Sequence, residues 1–212
     1  MAKTPRKDAP PPPAAGSLRL DLARSEIARA SIALFARRGV EAVRVEDLLE
    51  AAGVARRTFY KHFRSKDDVL AAVYELVSRE LLAALETGHK DGVDATAALR
   101  GTLDIYLGFH VDNYRILRVL VEEGLRSSSP LHPLRRRFRE ALVRALEDAC
   151  LATTGRSLDP FVFVGLLSAI DGLSMELLVG PPAPADVARA RAVLHGLLDA
   201  VLRAPELFPT RA

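Results

Sequence analysis

The sequence predicts an all-α protein of about nine helices, a three-helix N-terminal unit followed by a larger helical domain. Three observations predict it. From about Leu18 onward apolar residues recur at spacings of three and four; no stretch alternates apolar and polar residues as a half-buried strand does; and clusters of Gly, Pro, Ser and Asp cut the chain at helix-sized intervals. No internal repeat is present. With 212 residues, 49% hydrophobic and 27% charged, the chain is long enough to bury a core without covalent staples. Its single cysteine, Cys150, excludes an intrachain disulfide framework and reads as core filling.

Residues 1–17 are expected to be a disordered, basic, proline-rich tail, because Pro10 to Pro13 neither nucleate a helix nor fill a core. The first helix runs from about Leu18 and buries Ile27, Ala30, Ser31, Leu34 and Phe35 as one stripe, with Gly39 as a left-handed cap. A short second helix covers about Val45 to Ala52, Gly53 makes a tight turn, and a third helix covers about Ala55 to His62. Ser65 then caps a fourth helix that reaches about Glu86, with Asp68 in the place of a capping-box Glu. "TGHKDG" breaks the pattern and Asp94 is the next expected cap, opening a helix to about His110. Further helices are expected over about Asp112–Gly124, Pro133–Ala152, Pro160–Val179 and Asp186–Arg203, with Pro160 suited to a first helical position. The apolar run from Phe161 to Val179 contains Asp171 and Glu176, which favours a buried helix of a soluble protein over a membrane span.

Charge is unevenly placed. Residues 1–66 carry 14 Lys/Arg against 7 Asp/Glu, whereas the remainder carries 16 against 20. A basic end on an acidic body is the footprint of a polyanion partner confined to that end. The opening residues lack an apolar segment, so no secretory signal is expected and the expected location is cytoplasmic.

Helix, glycine turn and helix over residues 45–62 describe a helix-turn-helix, whose second helix enters the major groove of DNA. Phe59 and Phe63 share one face and should pack on Leu48, Ile27 and Phe35, leaving Arg56, Arg57, Thr58, Tyr60 and Lys61 outward. Arginine reads guanine bidentately, threonine touches a thymine methyl, and tyrosine, histidine and lysine bond phosphates. Lys66, at the start of the fourth helix, adds charge beside free backbone N–H groups.

The segment "IARASIALFARRGVEAVRVEDLLEAAGVARRTFYKHFRSKDDVL", roughly residues 27–70, resembles the DNA-binding domain of TetR-type transcriptional regulators. Ala52, Gly53, Val54, Thr58, Tyr60, Phe63 and Lys66 fall in register with that family's pattern. The resemblance implies a head over residues 18–66 and a ligand-binding and dimerisation body over residues 67–212. It also implies a homodimer on a palindromic operator, usually acting as a repressor, released when a small molecule in the body moves the fourth helix. By family role Arg57 and Thr58 contact bases, Tyr60, His62 and Lys66 hold phosphates, and Lys61 does either. The family usually carries threonine at the positions of Val43 and Arg44. Arg44 retains reach to a phosphate but lacks a capping oxygen, so a frayed start or a different cap is expected for the second helix.

In the body, Gly165, Ser168, Ala169 and Gly172 form a stripe of small residues that admits a close helix, and Leu194, Leu197, Leu198 and Val201 belong to an apolar stripe on the last helix. Paired with two-fold mates these would make a four-helix interface, the alternative being that they fill the monomer core. Tyr106 and His110, one turn apart, share a face with Leu103 and Leu107 and make a candidate wall for a small-molecule pocket, with Tyr74, Phe138 and Asp171 as further candidates. For each, the plainer alternative is a satisfied core or surface residue. His110 has no second metal ligand at helical spacing, and no cofactor is expected. Arg135, Arg136 and Arg137 oppose the macrodipole in a first turn and call for Glu122 and Glu123, an acidic effector or solvent.

No nucleophile elbow, glycine-rich phosphate loop or zinc-binding spacing occurs, which argues against an enzyme. The stronger alternative is a DNA-binding regulator of the same fold under the control of a protein partner. The basic tail, with Lys3, Arg6 and Lys7, reads either as a DNA-contacting arm or as a plain leader.

Overall fold

The computed structural model describes residues 15–87, 95–177, 179–204, 206 and 208–210. Nine helices occupy them: α1 (Ala15–Arg38), α2 (Val45–Ala52), α3 (Arg56–His62), α4 (Lys66–Thr87), α5 (Ala95–Asp112), α6 (Tyr114–Leu125), α7 (Leu131–Thr154), α8 (Pro160–Leu177) and α9 (Pro184–Arg203). No strand forms among the described residues, and Leu158 and Thr210 make one isolated antiparallel bridge. The all-α expectation holds.

Several boundaries move. Helix α1 begins at Ala15, so the tail assigned to residues 1–17 overlaps its first turn. Lys3, Arg6, Lys7 and Asp94 lie outside the described residues, as does most of the expected break after α4. Helix α7 starts at Leu131, before Pro133, because the first four N–H groups of a helix need no intrahelical acceptor. Helix α9 starts at Pro184 for the same reason.

Two apolar cores hold the helices. The first joins α1, α2 and α3 to the front half of α4 and to α6, through Ile27, Phe35, Leu48, Phe59, Phe63 and Leu70 among others. Burial of each large side chain contributes about 1.5–3 kcal/mol. The second core joins α5, α7, α8 and α9 around Leu107, Phe163, Leu167 and Leu194. Ile116, Leu117 and Leu120 of α6 sit in the first core, so α6 touches the N-terminal unit directly. Helix α8 is apolar and long enough to cross a bilayer by composition alone, yet it packs on α5, α7 and α9 and carries Asp171 in ion pairs.

Candidate nucleic-acid interface and buried cavity

Helices α2 and α3 meet through a turn that depends on Gly53. Its φ of 63° is left-handed, its N–H bonds Glu50 O, and the next N–H, of Val54, bonds Leu49 O at 3.1 Å. A β-carbon would strain that conformation. The start of α2 has the different cap its sequence called for. The Arg44 N–H donates to the Asp47 carboxylate at 2.7 Å, and Arg38 donates to the other oxygen at 2.8 Å. These bonds hold the Asp47 carboxyl below the usual range, the Arg44 amide chiefly and Arg38 next. Arg38 also donates to Ala42 O, tying down the loop between α1 and α2.

Helix α3 turns Phe59 and Phe63 fully into the first core, where they meet Leu48, Ile27 and Phe35 as their spacing requires. Arg24 closes the far end of α3, donating to His62 O at 2.9 Å with its guanidinium 4.6 Å over the Phe63 ring. The opposite face of α3 is open. Arg56, Arg57, Thr58 and Lys61 are exposed, and Tyr60 is 48% exposed with its ring edge-on to Phe59. Arg56 pairs with Glu46 at 2.5 Å across the turn, both side chains in solvent, a pair that contributes at most about 1 kcal/mol and yields readily to a phosphate. Arg44 is exposed beside them, and His62 is half-buried.

Lys66 occupies a different position from a free phosphate-binding side chain. Its Nζ donates to Val40 O at 2.7 Å and locks the start of α4 to the loop after α1. Ser65 caps α4 through the Asp68 N–H, as expected, whereas the Asp68 carboxylate takes the Arg64 N–H.

All five candidate pocket residues, Tyr74, Tyr106, His110, Phe138 and Asp171, line a single cavity among α4, α5, α6, α7 and α8. Its volume is about 50 Å³, room for a few waters and well short of a drug-sized site. His110 is 4% exposed, stacks on Tyr106 at 4.2 Å between ring centroids, and donates from Nδ1 to the Tyr106 carbonyl at 2.9 Å. Burial pushes the His110 pKa down, so its ring is neutral at pH 7. Burial, with Asp171 adding to it, pushes Tyr106 up, so its hydroxyl remains a donor toward Asp171. Tyr74, Ser78 and Phe138 also face an open cleft of about 550 Å³ against α1, and form the wall between cleft and cavity.

The arginine run divides. Arg135 turns inward and bonds Asp171 at 2.6 Å; Arg136 lies in solvent beside Glu140; and Arg137 is exposed. Glu122 and Glu123 pair instead with Arg118 and Arg126. Arg139, which the sequence reading passed over, bonds Asp171 and, at 3.1 Å, Ser168. Its signal was available: Arg135 and Arg139 stand one turn apart on α7, and the apolar helix α8 carries a carboxylate, Asp171, at its middle.

The expected interface residues also divide. Leu194, Leu198 and Val201 are buried in the second core, within a single chain. An apolar stripe serves a core as well as it serves an interface, and here the monomer uses it. Leu197 is 40% exposed, and with Ala192, Val193, Gly196 and Ala200 it gives α9 an apolar outward face. On α8, Gly165, Ser168 and Gly172 are exposed beside Phe161, itself 80% exposed, while Ala169 is half-buried.

Comparison with known proteins bears on the first of these sites. Residues 27–73 match the family model of bacterial regulatory proteins of the tetR family. The chain is 34% identical over 85 residues to the HTH-type transcriptional regulator TcmR of Streptomyces glaucescens, covering 40% of this chain and 37% of that one. It is 33% identical over 103 residues to the HTH-type transcriptional repressor KstR2 of Rhodococcus jostii, covering 41% and 50%. The matches thus span half or less of those relatives. Over the whole fold, a solved structure from a Rhodococcus species, assigned to the TetR-family transcriptional regulators, superposes with a TM-score of 0.72 at 26% identity, covering 85% of this chain and 99% of that one. These relatives are transcriptional regulators, not enzymes.

Proposed function

We propose that this chain, whose residues 27–73 carry the TetR-family domain, is a sequence-specific DNA-binding transcriptional regulator that works as a homodimer on a palindromic operator, as a repressor released by a small molecule. The observation that carries the reading is the division of α3. Its apolar face is wholly buried, and Arg57, Thr58, Tyr60 and Lys61 stand together in solvent on the other. Exposed donors of that kind on the second helix of a helix-turn-helix serve bases and phosphates. Arg44 and Arg56 flank them, Arg24 holds the His62 carbonyl at the end of α3, and Lys66 ties the start of α4 to the loop after α1.

The head comprises residues 18–66 and the body residues 67–212, with α4 and α6 shared because their apolar residues enter the first core. The outward apolar faces of α8 and α9 support a two-fold interface, since a monomer rarely leaves such helices unpaired. Effector and operator are then linked by a coupling free energy: each selects its own arrangement of the two heads. A DNA partner suits a cytoplasmic location.

A second reading rests on the cavity's volume of about 50 Å³. A body filled by its own side chains suits a regulator controlled by a protein partner rather than a small ligand.

Titration of the intact protein onto duplex DNA at rising salt tests the first reading. Each phosphate contact contributes about 0.9 to the slope of log K against log salt. Lys61→Ala removes one contact per protomer, so for a dimer the slope should flatten by about 2. An unchanged slope would place Lys61 away from the DNA.

A further inference from the structure

The only charged side chains lining the buried cavity, among the described residues, are Arg135, Arg139 and Asp171. Two guanidiniums therefore share one carboxylate. Within the cavity the other titratable groups add no negative charge, since His110 is neutral and Tyr106 and Tyr74 remain phenols; Glu140 and Glu147 share with the two arginines only the outer cleft of about 580 Å³, where Arg136 and Arg144 stand beside them. Both arginine side chains are largely shielded, and both reach the same oxygen of Asp171. Among the described residues Arg135 makes no other hydrogen bond and Arg139 only the bond to Ser168, which leaves most of their ten N–H donors to solvent or a ligand. An excess cation in a poorly solvated site is costly until an anion matches it.

We infer that Asp171 is an internal stand-in for the anionic head of the effector, which is a monoanionic carboxylate with an apolar or aromatic body. This inference rests on the proposed ligand-controlled regulator and names the chemistry of its cavity. A planar carboxylate matches the fork of an arginine bidentately and replaces the single charge of Asp171 like for like. Apolar walls from Leu81, Leu142 and Leu167 and the rings of Tyr74 and Phe138 take the body. Phe138 lines both the cavity and the 550 Å³ cleft, so a change of its rotamer would join the two and admit the ligand's body. When the ligand head takes the guanidiniums, Asp171 is released and the tie between α7 and α8 loosens.

The test uses the full chain with benzoate, benzamide and benzylammonium as probes at constant ionic strength, read by calorimetry and by tyrosine fluorescence, since the chain has no tryptophan. Benzoate should bind and the other two should not. Asp171→Asn removes the internal competitor and should tighten benzoate at least tenfold, while Arg139→Gln should abolish binding. Thermal melts of each variant separate loss of the site from loss of the fold. Asp171→Asn that folds but gains no affinity for benzoate would overturn the inference, as would benzamide binding as well as benzoate, or benzylammonium binding that Asp171→Asn removes. None of these readouts uses DNA. Their failure with intact operator binding rejects the anionic effector alone, and failure of operator binding with intact benzoate binding rejects the regulator reading instead.

Discussion

Gly124 of α6 is the floor over which the Arg135 side chain crosses to Asp171. A β-carbon at position 124 would stand 2.5 Å from Arg135 Cδ and 3.3 Å from its Cβ. Those atoms belong to the stem of the side chain, so they yield only if Arg135 changes rotamer or α6 and α7 separate. Gly124→Ala should therefore destabilise the protein by about 1–3 kcal/mol and weaken benzoate binding together with it. Denaturant unfolding and calorimetry on the same preparation check both. Full stability would mean that Arg135 has another route to Asp171.

Lys66 separates a structural role from a DNA-binding one. Its bond to Val40 O is intramolecular and present without DNA. Lys66→Met should lower the stability of the free protein by about 1 kcal/mol and loosen the joint between α1 and α4. A variant with unchanged stability but a flatter salt dependence of DNA binding would show that Lys66 serves phosphates alone.

His110 sets a pH dependence. Burial holds its folded pKa below the ordinary 6.5, against the raising influence of the Tyr106 carbonyl. The unfolded chain takes up a proton near pH 6.5 that the folded chain refuses. Stability present above pH 6.5 is therefore lost as pH falls from there to the lower folded value. Melting temperatures between pH 7.5 and 5.5 should fall more steeply for the parent chain than for His110→Phe, which retains the stack on Tyr106 but does not titrate. Parallel curves would mean that His110 takes up its proton equally in the folded and unfolded chains.

The outward faces of α8 and α9 predict the assembly. Leu197→Asp and Phe161→Asp alter side chains exposed in the monomer, so each should change monomer stability by no more than about 0.5 kcal/mol. Each should nonetheless shift sedimentation from dimer to monomer and abolish binding to a palindrome while leaving weak binding to a single half-site. A dimer that survives both substitutions would place the interface elsewhere.

What the sequence discloses and what it hides follow from the range of each interaction. The head was legible because its determinants are local. Gly53 marks the turn, the four-residue spacing of Phe59 and Phe63 fixes which face of α3 is buried, and the remaining residues must then point outward. The cavity's five candidates were legible as amphipathic outliers on apolar faces. Its charge was not, because the partners of Asp171 stand 36 and 32 residues away, and helix periodicity says nothing about which helices adjoin. The stripe on α9 was legible only in part, for a related reason. Leu194 and Leu197 are both apolar and three residues apart, and only the packing of α9 on α5 and α8 decides that one is buried and the other faces outward.

The central claim, that α3 reads DNA sequence, is tested most directly by selecting duplexes from a random pool with the intact protein and with Arg57→Ala. The intact protein should enrich one inverted repeat, its half-sites centred about 34–36 Å apart or a multiple of that, and the variant should lose preference at one position per half-site. Enrichment of the same sequence by Arg57→Ala, or no enrichment by the intact protein under any effector condition, would contradict it.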